Sequence, residues 1–588
     1  MRGTGHKRIF QGAAGGMRGK TRGFWRRSCA RRATSTWLFS LIAVAVGHAP
    51  TARAQSAAAE QAQRDQAQRQ AQQREALRAA PDVRLQAGEQ IDYHLTTVPA
   101  ETPCFRIQAI ALEGAHAQDF GFVQKYLDAY RGECIGQQGL RLLAHRTSDL
   151  ILARGYITSR VVIPEQNLAT GKLRVVLLAG TVGAVRFAPG SATAFWQNAL
   201  PIKPGDVLNL RAIEQGLEQL KRVPSQEAKI DIAPGAQPGT SDLLLSIARG
   251  KSWRVMASFD DSGGYDTGKD QGGLTLAVDQ PLGINDLLSI GYTHSVGDYG
   301  HVKGTHGGNF SYSVPWGDWT FSLASSNYAY RQSVFGSLQT FAYTGNSRST
   351  SFSATRLLHR DAHSRTSLQM TLATRHEHSY VDSVEVQTQR RKVTSAELAL
   401  IQRRYLGVAQ LDLRLAYRWG VPWLGGQWQP SVNGGPTNRY GVTVFDGSLS
   451  LPFQAFGTPW MWLSELHAQA TGDRLYAEDY LTAGGRYTVR GYDGNTVLGG
   501  NHGAYWRNTL NLPIGSSGVT LYAGVDAGHV GGEASRAYAS HSLSGAVTGM
   551  RGTRWGLSWD LFAGWPLQAP RGFPTRHPSA GMQWIYTY

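Results

Sequence analysis

The chain has 588 residues and a net charge of +17, a balance that suggests binding to nucleic acid. The charge is uneven, because residues 1–54 hold nine Arg, two Lys and no acidic residue, and the rest of the chain carries only +6. A polyanion-binding function therefore loses most of its support, and no nucleic-acid partner is expected. After residue 54, no stretch approaches the roughly 20 consecutive apolar residues of a membrane helix.

Residues 1–54 have the parts of a secretory signal peptide. A basic region ends at Arg32, an apolar run covers residues 37–46, and a small-x-small sequence ends at Ala54. We predict cleavage after Ala54. A membrane anchor is the alternative, but the apolar run is short for one. Residues 14–21 nearly match a phosphate-binding loop, but they follow no strand and lie within this leader, so we expect no nucleotide cofactor.

The cysteines indicate an oxidising compartment. Cys29 lies in the leader, which leaves Cys104 and Cys134 in the exported chain. An even pair of cysteines in an exported protein predicts one disulfide. Two buried free thiols are the alternative.

Residues 55–80 are rich in Gln, Ala and Arg, which are good helix formers. They have almost no apolar stripe, so a helix here cannot pack against an ordinary hydrophobic core. The segment is either a disordered linker or a helix in polar surroundings. Residues 81–102, which begin at Pro81, are predicted to form a linker.

From Cys104 the hydrophobic pattern predicts two small α/β units in tandem, 103–180 and 181–250. Each has a strand, then apolar residues at helical spacing, then two further strands. The predicted strands are 105–109, 157–163, 173–178, 182–187, 230–232 and 243–247. The predicted helices contain Leu140 to Ile151 in the first unit, before Gly155, and Leu210 to Leu220 in the second.

After Lys251 the helical pattern ends and alternating segments follow. In residues 411–419 every apolar or aromatic side chain lies on one face and the charged ones lie mostly on the other. A nine-residue strand of this kind can cross a membrane with tilt, with apolar side chains facing lipid and polar ones facing water. At roughly 20 residues per strand and turn, residues 251–588 predict about 16 strands. A soluble β-sandwich is the alternative, but Asp and Arg on its packed face disfavour it.

Several stretches occur in an order that is more specific than any one of them. They are CFRI at 104–107, GYITSRV at 155–161, DDSG at 260–263, PLGINDLL at 281–288, SVPWG at 313–317, VRGY at 489–492 and LYAGVDAG at 521–528. From about residue 103 to its end, the chain resembles the TpsB outer-membrane transporters of two-partner secretion. This is the ShlB/FhaC/HecB hemolysin secretion/activation family, which includes the CdiB-like proteins of contact-dependent inhibition.

The resemblance implies a membrane all-β fold, a 16-stranded transmembrane β-barrel over 251–588. Two periplasmic α/β POTRA domains, 103–180 and 181–250, precede it. An N-terminal helix plugs the lumen at rest in this family, and the polar segment 55–80 matches it. The resemblance implies a transporter without enzymatic activity or cofactors.

The resemblance also implies that a long extracellular loop folds back into the lumen and carries Val489, Arg490, Gly491 and Tyr492. The Arg490 guanidinium would then pair with an inward-facing acid, and the matching position is Asp526. Taken alone, an Arg followed by Gly is common in turns, so an exposed loop arginine is the alternative.

The expected partner is a secreted TpsA-type exoprotein, bound through its N-terminal secretion domain. Outer-membrane lipid and the barrel assembly machinery are further expected partners, in the outer membrane of a Gram-negative cell with the POTRA domains in the periplasm. Trp584, Tyr586 and Tyr588 share one face of the last predicted strand, and we interpret them as a C-terminal assembly signal.

Three other functions compete with export. A barrel insertion factor for outer-membrane proteins is the closest alternative, since it would share the POTRA domains and the arginine loop. A passive porin would lack tandem periplasmic domains. A metalloenzyme could use His376-Glu377-His378, but these residues have no third ligand in the sequence pattern, and we expect no metal site.

Overall fold

The computed structural model describes residues 61, 63–66, 68–69, 82–85, 93–297, 302–335, 339–429 and 434–588. The predicted signal peptide lies outside the described residues. The predicted helix 55–80 and linker 81–102 are described only in part. Among the described residues, no helix is both long and apolar enough to cross a membrane.

The first α/β unit packs two helices against a small sheet. Its elements are β1 (Phe105–Arg106), β2 (Ala109–Glu113), α1 (Gly121–Leu127), β3 (Cys134–Ile135), α2 (Gln137–Ala153), β4 (Arg160–Val162) and β5 (Lys172–Leu178). The sheet order is β2-β5-β4, with β2 and β5 parallel. The core is apolar and includes Phe120, Tyr130 and Ile151, all with no exposed surface.

The second unit repeats this plan with one helix. Its elements are β6 (Thr181–Phe187), α3 (Leu210–Lys221), β7 (Gln226–Pro234) and β8 (Thr240–Arg249). The sheet order is β6-β8-β7, again with the first strand parallel to the central one. Ile213 and Leu220 lie on one face of α3, two helical turns apart, and both are fully buried in the core of this unit.

The rest of the chain is all β. Its strands are β9 (Trp253–Asp260), β10 (Gln271–Asp279), β11 (Leu287–Ser295), β12 (Gly304–Trp316), β13 (Trp319–Phe335), β14 (Thr340–Arg360), β15 (Ser364–Val381), β16 (Val384–Glu385), β17 (Arg391–Leu406), β18 (Ala409–Gly420), β19 (Gly441–Ala455), β20 (Thr458–Ala470), β21 (Leu481–Ala483), β22 (Leu498–Gly500), β23 (His502–Pro513), β24 (Val519–Gly531), β25 (Ser542–Arg554), β26 (Leu557–Gln568) and β27 (Ser579–Thr587).

Within the described ranges, sixteen of these strands close into one antiparallel barrel, which confirms the predicted fold and strand number. The last strand, β27, pairs with the first, β9. Of the remaining strands, β16 only extends the hairpin between β15 and β17, and β21 pairs with β22 inside the connection from β20 to β23. Closure leaves no unpaired sheet edge in the membrane.

The two faces of the barrel wall follow the predicted alternation. On β18, Leu415 and Tyr417 point outward, each 52% exposed. On the other face of this strand, Arg414 and Arg418 point inward and contact Glu397 of β17. The charged face of β18 therefore lines a polar lumen. These charges would not fit the packed interior of a β-sandwich.

Two predicted strands differ from the observed ones. The strand predicted over 105–109 is broken, because the amides of Ile107 and Gln108 change partners and donate to Glu133 O and Gly171 O. The strand predicted over 157–163 is limited to Arg160–Val162, because a turn follows the left-handed Gly155, with a φ of 90°. Helix α1 is absent from the prediction, since its seven residues are too few for a clear helical repeat.

Candidate functional site

The connection between β20 and β23, residues 471–501, lies inside the barrel. It is the longest described connection within the barrel. Strand β9 follows the α/β units and starts at the barrel end nearest to them, and β20 runs in the same direction. The connection after β20 therefore enters the barrel from the opposite end. Its hairpin β21–β22 packs in an apolar cluster with residues of the barrel wall. The cluster contains Leu481, Ala483, Val489, Tyr492, Leu498, Val530 and Leu543.

Arg490 lies at the tip of this loop and contacts Asp526 of β24. Its Nε donates to Asp526 Oδ2 at 2.7 Å and its Nη2 donates to Oδ1 at 2.7 Å, a two-point pairing. The backbone amide of Arg490 also donates to Oδ2, at 2.9 Å. Nη2 donates further to Thr509 Oγ1 at 2.9 Å. Since Asp526 is 1% exposed and Arg490 8%, the pair is shielded from solvent. Such geometry fixes orientation as well as position.

The residues on either side of Arg490 fit the same surface. Val489 is fully buried in the apolar cluster. The Tyr492 hydroxyl lies within hydrogen-bond distance of the carbonyls of Ser544 and Gln568, at 3.0 and 2.6 Å. Gly491 has a φ of 104°, a left-handed conformation that other residues rarely adopt, and its Cα lies against the wall. The four residues of the predicted motif therefore all contact the barrel interior.

Several wall positions beneath the loop tip are glycines. Glycine occupies four inward positions on β24, β25 and β26, namely Gly524, Gly528, Gly545 and Gly564. A side chain at Gly524 would approach Arg490 Nη2 to 2.7 Å, and one at Gly564 would approach the Gly491 Cα to 2.8 Å. Both distances are below van der Waals contact, so larger residues here would push the loop away from the wall.

The stem of the same loop contacts the opposite wall through a second set of charges. Arg375 of β15 donates to Asp479 at 2.9 Å, and Arg391 of β17 contacts Glu478 at 2.5 Å and Asp479 at 3.4 Å. Arg391 also lies over the Tyr476 ring, 3.8 Å from its centre. This second contact is absent from the sequence-based predictions. Only the two adjacent acids at 478 and 479, in a polar loop, could have indicated it.

Helical residues 61, 63–66 and 68–69, called the N-terminal helix below, contact the inner wall through polar side chains. Gln63 donates to Ser347 and Glu377, at 2.8 and 3.0 Å. Gln66 donates to Thr293 Oγ1 at 2.6 Å. Arg64 donates to the carbonyl of Ala477 in the loop stem at 2.9 Å. These contacts explain why the helix has no apolar stripe, since the wall that it touches is hydrophilic.

Two neighbouring acids at the end of β9 join the N-terminal helix, the loop and the last strand. Arg69 contacts Asp260 at 3.4 Å. Arg486 of the loop donates to Asp261 Oδ1 at 2.5 Å, and that oxygen also accepts the amide of Met582 in β27 at 2.8 Å. The barrel closure between β9 and β27 is therefore bridged by a loop side chain.

The remaining predicted residues lie elsewhere. Cys104 and Cys134 are joined in a disulfide with a Cα–Cα distance of 5.4 Å, in the first α/β unit. Trp584, Tyr586 and Tyr588 lie at alternate positions along and just after β27, with Tyr586 46% and Tyr588 65% exposed.

His376-Glu377-His378 lies on β15, with alternate side chains on opposite faces of the wall. Glu377 contacts Gln63 and Arg375 in the lumen, and His378 contacts Glu385 at 2.7 Å. In the described part of the chain, no group of three His, Cys, Asp or Glu side chains is placed to hold a metal ion.

Models of known families match both α/β units and most of the barrel. The ShlB-type POTRA domain matches residues 105–180, and a second POTRA domain matches 181–234. The haemolysin secretion/activation protein family ShlB/FhaC/HecB matches residues 239–552, which is more than half of the chain.

Individual relatives agree along almost the whole chain. The outer membrane transporter CdiB-2 of Burkholderia pseudomallei strain 1026b is 42% identical over 525 residues, 86% of this chain and 89% of the relative. The structure of CdiB from Acinetobacter baumannii superposes with a TM-score of 0.80 at 27% identity, over 91% of this chain and 99% of that one.

CdiB from Escherichia coli superposes with a TM-score of 0.79 at 25% identity, over 90% of this chain and 99% of that one. Sequence and fold thus agree with these relatives across the barrel and both POTRA domains. The chain belongs to the haemolysin secretion/activation family ShlB/FhaC/HecB, the outer-membrane transporters of two-partner secretion, with its POTRA domains in the periplasm.

Proposed function

We propose that this transporter exports a large TpsA-type exoprotein, a hemolysin, adhesin or contact-dependent inhibition toxin, through its own barrel lumen. The observation that carries the proposal is that two segments of the same chain occupy that lumen. The loop 471–501 contacts two different sides of the barrel wall, at β24 and at β15. The N-terminal helix contacts both the loop and the wall. A conduit that is closed by its own segments can open for a specific cargo without exposing a permanent pore.

The N-terminal helix is held by contacts that are separable. Those described are hydrogen bonds and one ion pair to hydrophilic wall residues, among them Gln66 to Thr293 and Arg69 to Asp260. Each such bond contributes only about 1 kcal/mol net, because water replaces the lost partner when the contact breaks. We therefore assign residues 55–80 as a plug that leaves the lumen during export.

The inner wall suits an unfolded polypeptide. Paired charges line it, including Arg414 with Asp446 at 3.1 Å and Arg418 with Glu397 at 2.8 Å. These charged stretches of the wall stay hydrated and give an extended chain no apolar surface on which to adhere. No catalytic step is part of this proposal, and export direction comes from the cargo folding outside the cell, which opposes its return.

Recognition takes place in the periplasm, at the POTRA domains. In each domain, the three-stranded sheet has two outer strands, β2 and β4 in the first and β6 and β7 in the second. Residues 205–207 already bond to Thr181 and Val182 of β6, so β7 is the outer strand proposed for binding in the second domain. An outer strand offers backbone N–H and C=O groups to an added strand, so the N-terminal secretion domain of the cargo can bind by β-augmentation.

Lipid and the barrel assembly machinery are the other proposed partners. Outward aromatic side chains suit the membrane interface, and Tyr586 and Tyr588 end the closing strand with such a surface. We propose that Trp584, Tyr586 and Tyr588 form the signal by which the assembly machinery accepts the barrel. Replacing Tyr588 and Tyr586 by Ser should reduce the heat-resistant, folded barrel in outer-membrane fractions, whereas replacing the POTRA residue Tyr126 by Ser should not.

Gene deletion in a strain that carries the cargo gene tests the export function. We expect the cargo to disappear from the cell surface and the medium, while the other outer-membrane proteins stay at normal levels. Normal export of the cargo would contradict the proposal. A general loss of outer-membrane proteins would instead indicate a barrel insertion factor.

A further inference from the structure

Residues 82–85 of the linker occupy a groove between POTRA helix α3 and the periplasmic end of the barrel. Their side chains alternate: Val83 is buried and Leu85 half-buried, whereas Asp82 and Arg84 are exposed. Val83 and Leu85 pack against the hydrophobic core of the second POTRA domain. The segment is therefore extended, with every second side chain directed into an apolar surface.

The polar groups of its backbone are paired with side chains. The amide of Val83 donates to Glu218 Oε1 at 3.1 Å, and the amide of Leu85 donates to Glu214 Oε1 at 2.7 Å. Arg360, the last residue of β14, donates to the Val83 carbonyl. These bonds involve only the backbone of the bound segment, so they do not require a particular sequence.

The groove is built from buried charges that hold one another in place. Arg360 contacts Glu214 at 3.0 Å and Glu218 at 2.8 Å, and Arg365 contacts Glu218 at 2.7 Å. The Glu214 and Glu218 side chains are 1% and 9% exposed. Buried carboxylates need partners, and here the partners are two amides of an extended peptide and three arginines, since Arg211 also contacts Glu214, at 2.6 Å. Such a surface is complementary to an extended chain in general.

The outward side chains add little specificity. Arg84 lies over the Tyr405 ring, 4.1 Å from its centre, and Asp82 accepts a hydrogen bond from the Tyr405 hydroxyl. Both contacts are at the exposed rim. The recognition pattern is thus an apolar residue, any residue and a second apolar residue, in extended conformation. Unfolded polypeptides contain this pattern frequently.

We propose that residues 82–85 are a built-in competitor for an extended apolar-x-apolar segment of the exported protein, which binds the same groove during export. The inference rests on the export function proposed above and names the chemistry of the segment that is recognised. Only residues 70–81 separate residues 82–85 from the N-terminal helix. Displacement of the linker by cargo therefore removes a tether that keeps the helix near the lumen, and it couples cargo binding to opening.

The probe is a fluorescent synthetic peptide with the sequence of residues 80–87, added to the purified full-length transporter. In the wild type, residues 82–85 of the transporter occupy the groove. They lower its apparent affinity for the peptide in proportion to the fraction of molecules in which they fill the groove. We expect the variant Val83→Asp with Leu85→Asp, whose own linker is excluded from the groove, to bind the peptide about tenfold more tightly. The matched control Arg84→Asp reverses a charge on the exposed face and should bind close to wild type.

A modified peptide keeps the test independent of protein folding. Methylation of its Val and Leu amide nitrogens removes the two donors to Glu218 and Glu214 and leaves the side chains unchanged. We expect this peptide to lose most of its binding to the double variant. Equal affinity for wild type and double variant, or undiminished binding of the methylated peptide, would overturn the inference.

Single-channel conductance tests the coupling. Unmodified peptide, added to the POTRA side of wild-type transporter in a planar bilayer, should raise the open fraction, and the methylated peptide should not. Saturating peptide that leaves conductance unchanged would overturn the coupling. Because these measurements need no cargo, they can fail while the deletion experiment supports export, and they can succeed if it does not.

Discussion

The carboxylate of Asp526 binds both the side chain and the backbone of Arg490. The guanidinium contacts it at 2.7 Å through two nitrogens, and the Arg490 amide donates to it at 2.9 Å. One wall residue thus fixes both the position and the orientation of the loop tip. Inward glycines on β24 to β26 allow the loop to lie directly on the wall.

Exchange of the two charges tests this pairing. Arg490→Asp or Asp526→Arg alone leaves like charges in a shielded site, at a cost of about 3 kcal/mol or more, and should reduce export strongly. The double exchange should restore part of the export. Recovery should be incomplete, because no acceptor then remains for the amide of residue 490. The measurement is the amount of cargo in the medium for each variant at matched transporter levels.

The control for the exchange is Arg507→Gln, a lumen arginine whose contact to Glu465 is long, at 3.7 Å. It should export close to wild type. If the double exchange exports no more cargo than the single variant with the lower export, a direct pairing of the two residues is contradicted.

The contacts of the loop stem predict a second effect. The double variant Glu478→Gln with Asp479→Asn removes the charges that Arg375 and Arg391 bind. The stem should then detach from β15 and β17 and raise basal conductance in planar bilayers several-fold. Glu385→Gln, in the hairpin at the outer rim, is the matched control and should conduct as wild type. Unchanged conductance in the stem variant would show that these ion pairs do not hold the loop.

Removal of the N-terminal helix gives a third prediction. Deletion of residues 56–80 should convert a small basal conductance into a large, stable one, because the helix contacts wall residues on β11, β14 and β15. The comparison is the full-length protein in the same bilayers. If the deletion variant conducts no more than the full-length protein, residues 56–80 do not close the pore.

The barrel was the part of the fold most open to prediction from sequence. Few folds other than a barrel with a water-filled lumen explain a period-two alternation with charges on one face, as in residues 411–419. The pairing of Arg490 with Asp526 came from the family resemblance, since a separation of 36 positions carries no local signal.

Other features depend on contacts that no local pattern encodes. Arg391 and Glu478 are 87 residues apart and meet only because the loop turns inward. Val83 and Leu85 lie in a stretch that looks like an unstructured linker, and two apolar residues at alternate positions are too few to predict a bound strand. Both features are defined by the tertiary structure.

The disulfide gives a fourth prediction, on stability. It joins residues 30 positions apart and links the start of β1 to β3, just before helix α2. Cys104→Ser with Cys134→Ser should lower the free energy of unfolding of the first POTRA domain by roughly 3 to 4 kcal/mol, because the unfolded chain gains freedom. Limited proteolysis of the full-length protein should then cut the first POTRA domain earlier than the barrel, and reduced wild type should behave in the same way. Equal protease resistance with and without the disulfide would contradict this.

The cap of helix α2 gives a fifth prediction, on pH. Glu101 accepts the amides of Gly136, Gln138 and Gly139, each at 2.8 Å. Although desolvation alone raises the pKa of this carboxyl, the three N–H donors together lower it below its usual value. A lowered pKa means that the stabilisation is present above the pKa of the unfolded chain and is lost as pH falls through the folded pKa.

The variant Glu101→Gln isolates this effect. At neutral pH it should expose the start of α2 to protease sooner than wild type, and the difference should vanish in acid, where the wild-type carboxyl is protonated. A difference that persists unchanged at acidic pH would assign the effect to packing instead of charge.

We propose that the N-terminal helix occupies the lumen at rest and leaves it for export. Gln66 and Thr293, whose side chains meet at 2.6 Å, provide a site to hold it there. In cells that express Gln66→Cys with Thr293→Cys, a short reagent that links two thiols should stop export of the cargo, and a cleavable version should restore export after reduction. The variant Gln66→Cys alone should export normally after the same treatment. Undiminished export by the linked double variant would show that export does not require the helix to leave the lumen.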